Sequence, residues 1–123
     1  MIVSVPFFDT NVIIDWLRRR PQARAEIMRY PKHRISRIVW TEVLAAETSE
    51  DRAPVQEVLS HFEVVEIDQR IAVAAADIRH RTGMKLHDAM ILATAQVNGA
   101  ILITRNTKDF PANMPGIRVP YSL

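Results

Sequence analysis

The chain has 123 residues, 48% of them hydrophobic and 24% charged, with a net charge of +2. That size and composition suit one globular domain with a real core and exclude a disordered or fibrous chain. The lack of cysteine excludes disulfides and thiolate metal sites and fits a reducing cytoplasm.

Residues 1–8 carry Ile2, Val3 and Val5, then Phe7 and Phe8, which predicts a buried strand. Pro6 has no ladder donor, so the strand starts late or Pro6 sits where no partner is needed. Asp9 or Thr10 is the expected cap of a helix through residues 11–17, and Pro21 opens a second that stops near Pro31. Residues 34–39 alternate loosely as a short strand leading into a helix from Thr41. Val55, Val58, Leu59 and Phe62 recur at helical spacing. A strand over 64–67 follows, then a helix over 69–81 with Gly83 as its C-cap. Residues 88–97 are apolar nearly all round and predict a buried helix ending near Gly99. Residues 100–103 form a central strand and 117–119 a short final one.

Strands separated by helices pair in parallel. The expected fold class is therefore α/β: one domain over residues 1–123, in three α/β/α layers around a mainly parallel sheet. The start of the chain lacks a basic segment followed by a long apolar run, and no stretch reaches the ~20 apolar residues of a membrane span. Neither a signal peptide nor a membrane partner is expected.

Acids recur where these runs end or begin: Asp9, Glu42, Asp88, and Asp109 just after Asn106. Open α/β sheets bind ligands beyond the carboxyl ends of their strands, so such groups can meet there. Gathered carboxylates repel, which raises at least one pKa unless a divalent cation neutralises them. An oxygen-lined site of this kind suits Mg²⁺ or Mn²⁺, which activates water and stabilises charge growing on a phosphate. Singly, the residues have plainer explanations. Asp9 is an ordinary helix cap, Glu42 carries little by itself, and Trp16 and Trp40 read as core. Asp88 is the most telling, because an acid entering an almost wholly apolar helix needs a reason to be there. Basic residues gather at Arg18–Arg20, at Arg34 and Arg37, at Arg79–Arg81 with Lys85, and at Arg105 and Lys108. The last two groups neighbour acidic patches, where a nucleic-acid backbone could meet them; the plainer reading is a solvated surface.

Four segments, taken in order, resemble the PIN-domain family over essentially the whole chain, and more narrowly the VapC-type ribonuclease toxins of type II toxin–antitoxin pairs. They are Asp9-Thr10-Asn11-Val12-Ile13-Ile14-Asp15, residues 36–43 around Glu42, residues 86–95 around Asp88, and Ile101-Leu102-Ile103-Thr104-Arg105-Asn106 with Asp109-Phe110. The resemblance implies a PIN fold and an endoribonuclease that uses Mg²⁺ or Mn²⁺ to leave a 5′-phosphate and a 3′-hydroxyl. Asp9, Glu42 and Asp88 match the family's acidic positions and are the implied metal ligands, Asp9 and Asp88 most directly. Thr10, Asn11 and Thr104 match polar positions that line such sites. Many relatives carry Asp where Asn106 stands, so either Asn106 supplies a neutral amide or Asp109 takes over. The implied partners are an RNA substrate, a second copy of the chain in a homodimer, and a small antitoxin that wraps the cleft, with Trp16, Leu17 and residues 21–59 as contact surface.

Other chemistries find little support. His33, His61, His80 and His87 lack the paired spacing of a zinc site, and His87 reads as a surface neighbour of Asp88 before it reads as an acid–base group. Three glycines exclude a phosphate loop or a dinucleotide fingerprint. A phosphoryl-accepting receiver domain needs an acidic neighbour that Asp9 lacks. The alternative is a catalytically inactive PIN-like domain that only binds RNA or protein, favoured if Asp9 or Asp88 stayed apart from the other acids.

Overall fold

Eleven elements alternate along residues 5–123, the part described by the computed structural model: β1 (Phe7–Phe8), α1 (Thr10–Leu17), α2 (Pro21–Met28), β2 (Arg34–Ser36), α3 (Arg37–Ala45), α4 (Arg52–Leu59), β3 (Glu63–Val65), α5 (Gln69–Thr82), α6 (Leu86–Val97), β4 (Leu102–Ile103) and β5 (Ile117–Arg118). The sheet runs β3-β2-β1-β4-β5 with every neighbouring pair parallel, which is the expected α/β class. The chain steps outward from β1 to β2 and β3, then crosses back to β4 on the other side of β1. α1 packs against α2 and α3, α3 against α4, and α5 against α6, with α3 also touching α6. Phe7 pairs with Leu102 and Phe8 with Ile103, so the carboxyl ends of β1 and β4 adjoin where the strand order reverses. An open parallel sheet has its ligand crevice there.

Pro6 has no amide to donate. Among the described residues the first ladder donor is the Phe7 amide, 3.0 Å from the Ile101 carbonyl, while the Pro6 carbonyl accepts from Arg34 at 3.2 Å. Of the strand expected over residues 1–8, residues 1–4 lie outside the described part. Phe7, Phe8, Ile35, Leu102 and Ile103 are almost fully buried, as strands covered on both faces require. Trp16 is only partly buried and meets the Phe62 ring at 5.8 Å; Trp40 is partly buried beneath the Arg37 guanidinium, 4.6 Å from its ring.

The strand expected over 34–39 ends at Ser36, and α3 begins at Arg37 instead of Thr41. The Ser36 hydroxyl accepts from the Val39 amide at 3.1 Å, a local N-cap that outweighs the β-branched Ile38 and Val39. Glu42 consequently sits in the middle of α3 and not in its opening turn. Asp88 does lie in the first turn of α6, and Gly83 ends α5 at φ 72°, as its C-cap.

Since Ser36 sets where α3 begins, Ser36→Ala should lower the free energy of unfolding by about 1 kcal/mol in urea titration. An unmoved midpoint would mean the cap contributes nothing.

Candidate active site

Asp9 follows β1 directly and caps α1. Its amide donates to the Ile103 carbonyl at 2.9 Å, which seats it against β4. The carboxylate is buried, with Oδ1 accepting from the Thr10 amide (2.8 Å) and Oδ2 from the Thr104 hydroxyl (2.7 Å). Thr104 Oγ1 also accepts from the Asn106 amide at 3.0 Å. Asn11 closes the join by accepting from the Arg105 amide at 3.1 Å, with its Nδ2 directed at Asp9 Oδ2 (3.4 Å). Thr10 turns the other way and donates to Glu42 Oε1 at 2.8 Å. Thr10, Asn11 and Thr104 therefore brace the acids around the end of β1.

Asp88 enters from α6, 4% exposed. Its Oδ1 lies 3.3 Å from His87 Nε2, which is also 3.9 Å from Glu42 Oε2. Asp88 Oδ2 is buried and has no hydrogen-bond donor among the described residues. Burial pushes the Asp9 carboxyl up to about 6 against the pull of Thr104 and Thr10, and the charges of Asp88 and Glu42 add to the rise. Burial also raises Asp88; His87 opposes that rise while Asp109 and Glu42 reinforce it. Asp9, Glu42, Asp88 and Asp109 thus belong to one electrostatic cluster.

Asn106 and Asp109 act as a pair. Asn106 Nδ2 donates to Asp109 Oδ2 (2.9 Å), and the Asp109 amide donates back to Asn106 Oδ1 (3.2 Å). This bond, with Lys85, Lys108 and His87 nearby, holds the Asp109 carboxyl below its usual range despite desolvation. Asn106 and Asp109 thus form one hydrogen-bonded unit beside the cluster.

Arg105 lies beside the cluster but is committed elsewhere. Its guanidinium makes a bidentate pair with Asp15 at 2.7 and 3.0 Å, and the Tyr121 hydroxyl donates to the same carboxylate at 2.8 Å. Lys108 is exposed near Asp109. Arg34 lies over the Phe7 ring at 4.4 Å and Arg37 pairs with Glu66, so these two basic residues also serve the fold. Two residues of this region stand out only in three dimensions. His87 links Glu42 and Asp88, which its sequence neighbourhood leaves ambiguous. Asp15 anchors Arg105, and its one sign in the sequence is an acid inside an apolar helix, the feature that marks Asp88.

Among the described residues no three His, Asp or Glu side chains form a ready metal cage. The donor chemistry nevertheless fits a hard divalent cation. The converging groups are carboxylates, burial raises the proton affinity of Asp9, and a buried oxygen of Asp88 lacks a donor among the described residues.

The profile of the PIN domain matches residues 7–113. Among solved structures, a chain of a toxin–antitoxin complex from Klebsiella pneumoniae is 40% identical with a TM-score of 0.89, the match covering 96% of this chain and 99% of that one. A chain of the DNA-bound VapBC of Salmonella typhimurium is 27% identical with a TM-score of 0.74, over 93% and 96% of the two chains. One from FitAcB of Neisseria gonorrhoeae, 24% identical with a TM-score of 0.78 over 97% and 100%, shares the fold. No curated protein matches at a significant level.

A carboxyl whose pKa is higher folded than unfolded keeps its proton longer in the native state. Its contribution to stability is present below the unfolded value and is lost as the pH rises through the folded one. With metal chelated, the stability of the parent relative to Asp9→Asn should therefore fall as pH rises from 3.8 to about 6. Chemical denaturation across that window checks it, and a flat difference would contradict the burial of this charge.

Proposed function

Because the chain belongs to the PIN-domain family, we propose that it is a metal-dependent endoribonuclease and the toxin of a toxin–antitoxin pair. The observation that carries the reading is the cluster of Asp9, Asp88 and Glu42 at the reversal of the sheet, with Asp88 Oδ2 buried and undonated. The single domain, as proposed, spans residues 1–123.

Asp9, Asp88 and Glu42 would hold Mg²⁺ or Mn²⁺, which when bound supplies an activated water and stabilises charge on the phosphate. The chain's own residues set up the rest. Thr104 and the Thr10 amide fix the carboxylate of Asp9, and the Thr10 hydroxyl fixes that of Glu42. The Asn106–Asp109 pair closes the rim with one neutral and one charged side chain. His87, half exposed beside Asp88, presents a ring nitrogen able to carry a proton at the mouth of the site. In the proposed reaction water adds to phosphorus, the bond to the 3′-oxygen breaks and that oxygen takes up a proton, leaving a 5′-phosphate and a 3′-hydroxyl.

A small antitoxin partner is supported by the Klebsiella pneumoniae relative, which comes from a toxin–antitoxin complex. A homodimer and a cytoplasmic setting complete the proposal. No helix of the described residues is long and apolar enough to cross a membrane. The absence of a ready three-ligand cage favours the second reading, a PIN-like domain that only binds RNA or protein; the undonated oxygen of Asp88 weighs against it.

Incubating purified chain with total RNA in Mn²⁺, Mg²⁺ or EDTA decides between them. Cutting should require metal, and Asp9→Asn and Asp88→Asn should each lose more than the roughly 10–100-fold typical of groups that support a ligand. Thr104→Ala should fall inside that range, and Asp109→Ala should be milder than Asp88→Asn. A folded chain that cuts nothing with any metal would sink the nuclease.

In the same protein, Mg²⁺ or Mn²⁺ should raise the melting temperature of the parent but not of Asp88→Asn, because a ligand stabilises only the state that binds it. Metal-free Asp88→Asn should be at least as stable as the parent, since the substitution removes a buried charge. Equal metal-induced shifts in both would place the ion elsewhere.

A further inference from the structure

A groove of about 330 Å³ adjoins the acidic cluster through Asp109, which lines it. One wall is residues 82–85, the turn between α5 and α6; the other is formed by Lys108, Asp109, Pro111 and Met114. Both walls are held by the fold. The Thr82 hydroxyl donates to the Ile78 carbonyl (2.7 Å) and accepts from the Met84 amide (3.1 Å), while Arg79 donates to the Met84 carbonyl (2.9 Å). Opposite, the Asn106–Asp109 bonds, a Phe110 amide bond to the Asn106 carbonyl (3.1 Å) and the fully buried Phe110 ring set the loop. Met84 is almost buried and Met114 partly so, giving the groove an apolar lining between polar rims.

The two rims each carry a lysine, Lys85 and Lys108. Both are exposed, and neither closes an ion pair with a described residue. Other cations near the cluster are already spent, Arg105 on Asp15 above all. A trough with methionine and proline on its floor, flanked by two ammonium groups that close no ion pair, matches the pattern of a nucleotide, whose phosphate seeks charge while its base or ribose covers the apolar floor. Asp109 is the one acid on the wall, and the two lysines offset it.

We propose that this groove is a substrate subsite, in which Lys85 and Lys108 together hold the phosphate of a single-stranded RNA nucleotide adjoining the one cut at the acidic cluster. The assignment rests on the endoribonuclease reading. The lysines position substrate and leave the chemical step to the acids, so they govern substrate affinity more than turnover.

The test follows cleavage of a fluorescein-labelled, mixed-sequence single-stranded RNA by the full chain over a series of salt concentrations, with anisotropy in EDTA to read binding without cutting. Lys85→Ala/Lys108→Ala should raise KM about tenfold with kcat nearly unchanged, and should reduce the slope of log affinity against log salt by about 0.7, the value for one phosphate of a single strand. Arg52→Ala/Arg70→Ala removes the same charge from exposed positions away from the groove and should change both far less. Lys85→Arg/Lys108→Arg keeps the charge and should restore the salt slope. If the lysine and control variants match in KM and slope while the parent cuts RNA, the subsite is wrong and the nuclease stands. If the parent neither cuts nor binds the RNA, the nuclease reading falls and the subsite with it.

Discussion

Thr104 donating to Asp9 joins the ends of two central strands and fixes one of the two buried acids of the cluster. A carboxylate removed from water must be supplied with donors or surrender its charge. Here three donors act on Asp9, the Thr10 amide and the Asn11 side chain from its own helix start and the Thr104 hydroxyl from 95 positions away, and its proton affinity still rises. The neighbouring acids explain part of that residue of unmet charge. A site in which the protein's own donors fall short of the carboxylates it buries is one in which a cation would be favoured.

The chain also contains buried acids whose charge is fully met, and the contrast is informative. Glu26 receives a bidentate Arg118 at 2.7 and 3.0 Å and a hydrogen bond from Tyr30, which together overcome burial and hold its carboxyl below the usual range. Asp15 receives Arg105 and Tyr121 in the same manner. Both clasps tie the end of the chain to α1 and α2. Arginine forks satisfy a carboxylate geometrically and electrically, leaving it nothing to offer a ligand. Among the described residues no such fork reaches Asp9 or Asp88. The clasped acids and the acids of the cluster therefore differ less in depth than in partners.

Much of this was legible in the sequence because it is local. Asp9 caps the helix that follows it, Gly83 ends α5 in a left-handed turn, and strands separated by helices give a parallel sheet. The reciprocal Asn106–Asp109 pair spans only three positions, yet the sequence left open which of the two would serve. What escaped depends on separation or on competition between local rules. Ser36 is a strong cap beside β-branched residues, and the cap wins, which shifts Glu42 along its helix. Arg105 looks like a phosphate contact until Asp15, 90 positions earlier, takes its guanidinium. The direction in which His87 points, toward Glu42 as well as Asp88, depends on how α6 packs near α3.

The wide spacing along the chain has a temporal side. During synthesis Asp9 and Glu42 leave the ribosome long before β4, yet β1 is the middle strand and has Arg34 on one side and Leu102 on the other for its neighbours. Pairings across such separations form late, because the intervening chain must first be ordered. Until residue 104 has emerged, Asp9 lacks its longest-range donor and the crevice has only one wall. The acidic cluster is accordingly a property of the finished chain, and a truncated or half-made copy carries its acids without carrying the site.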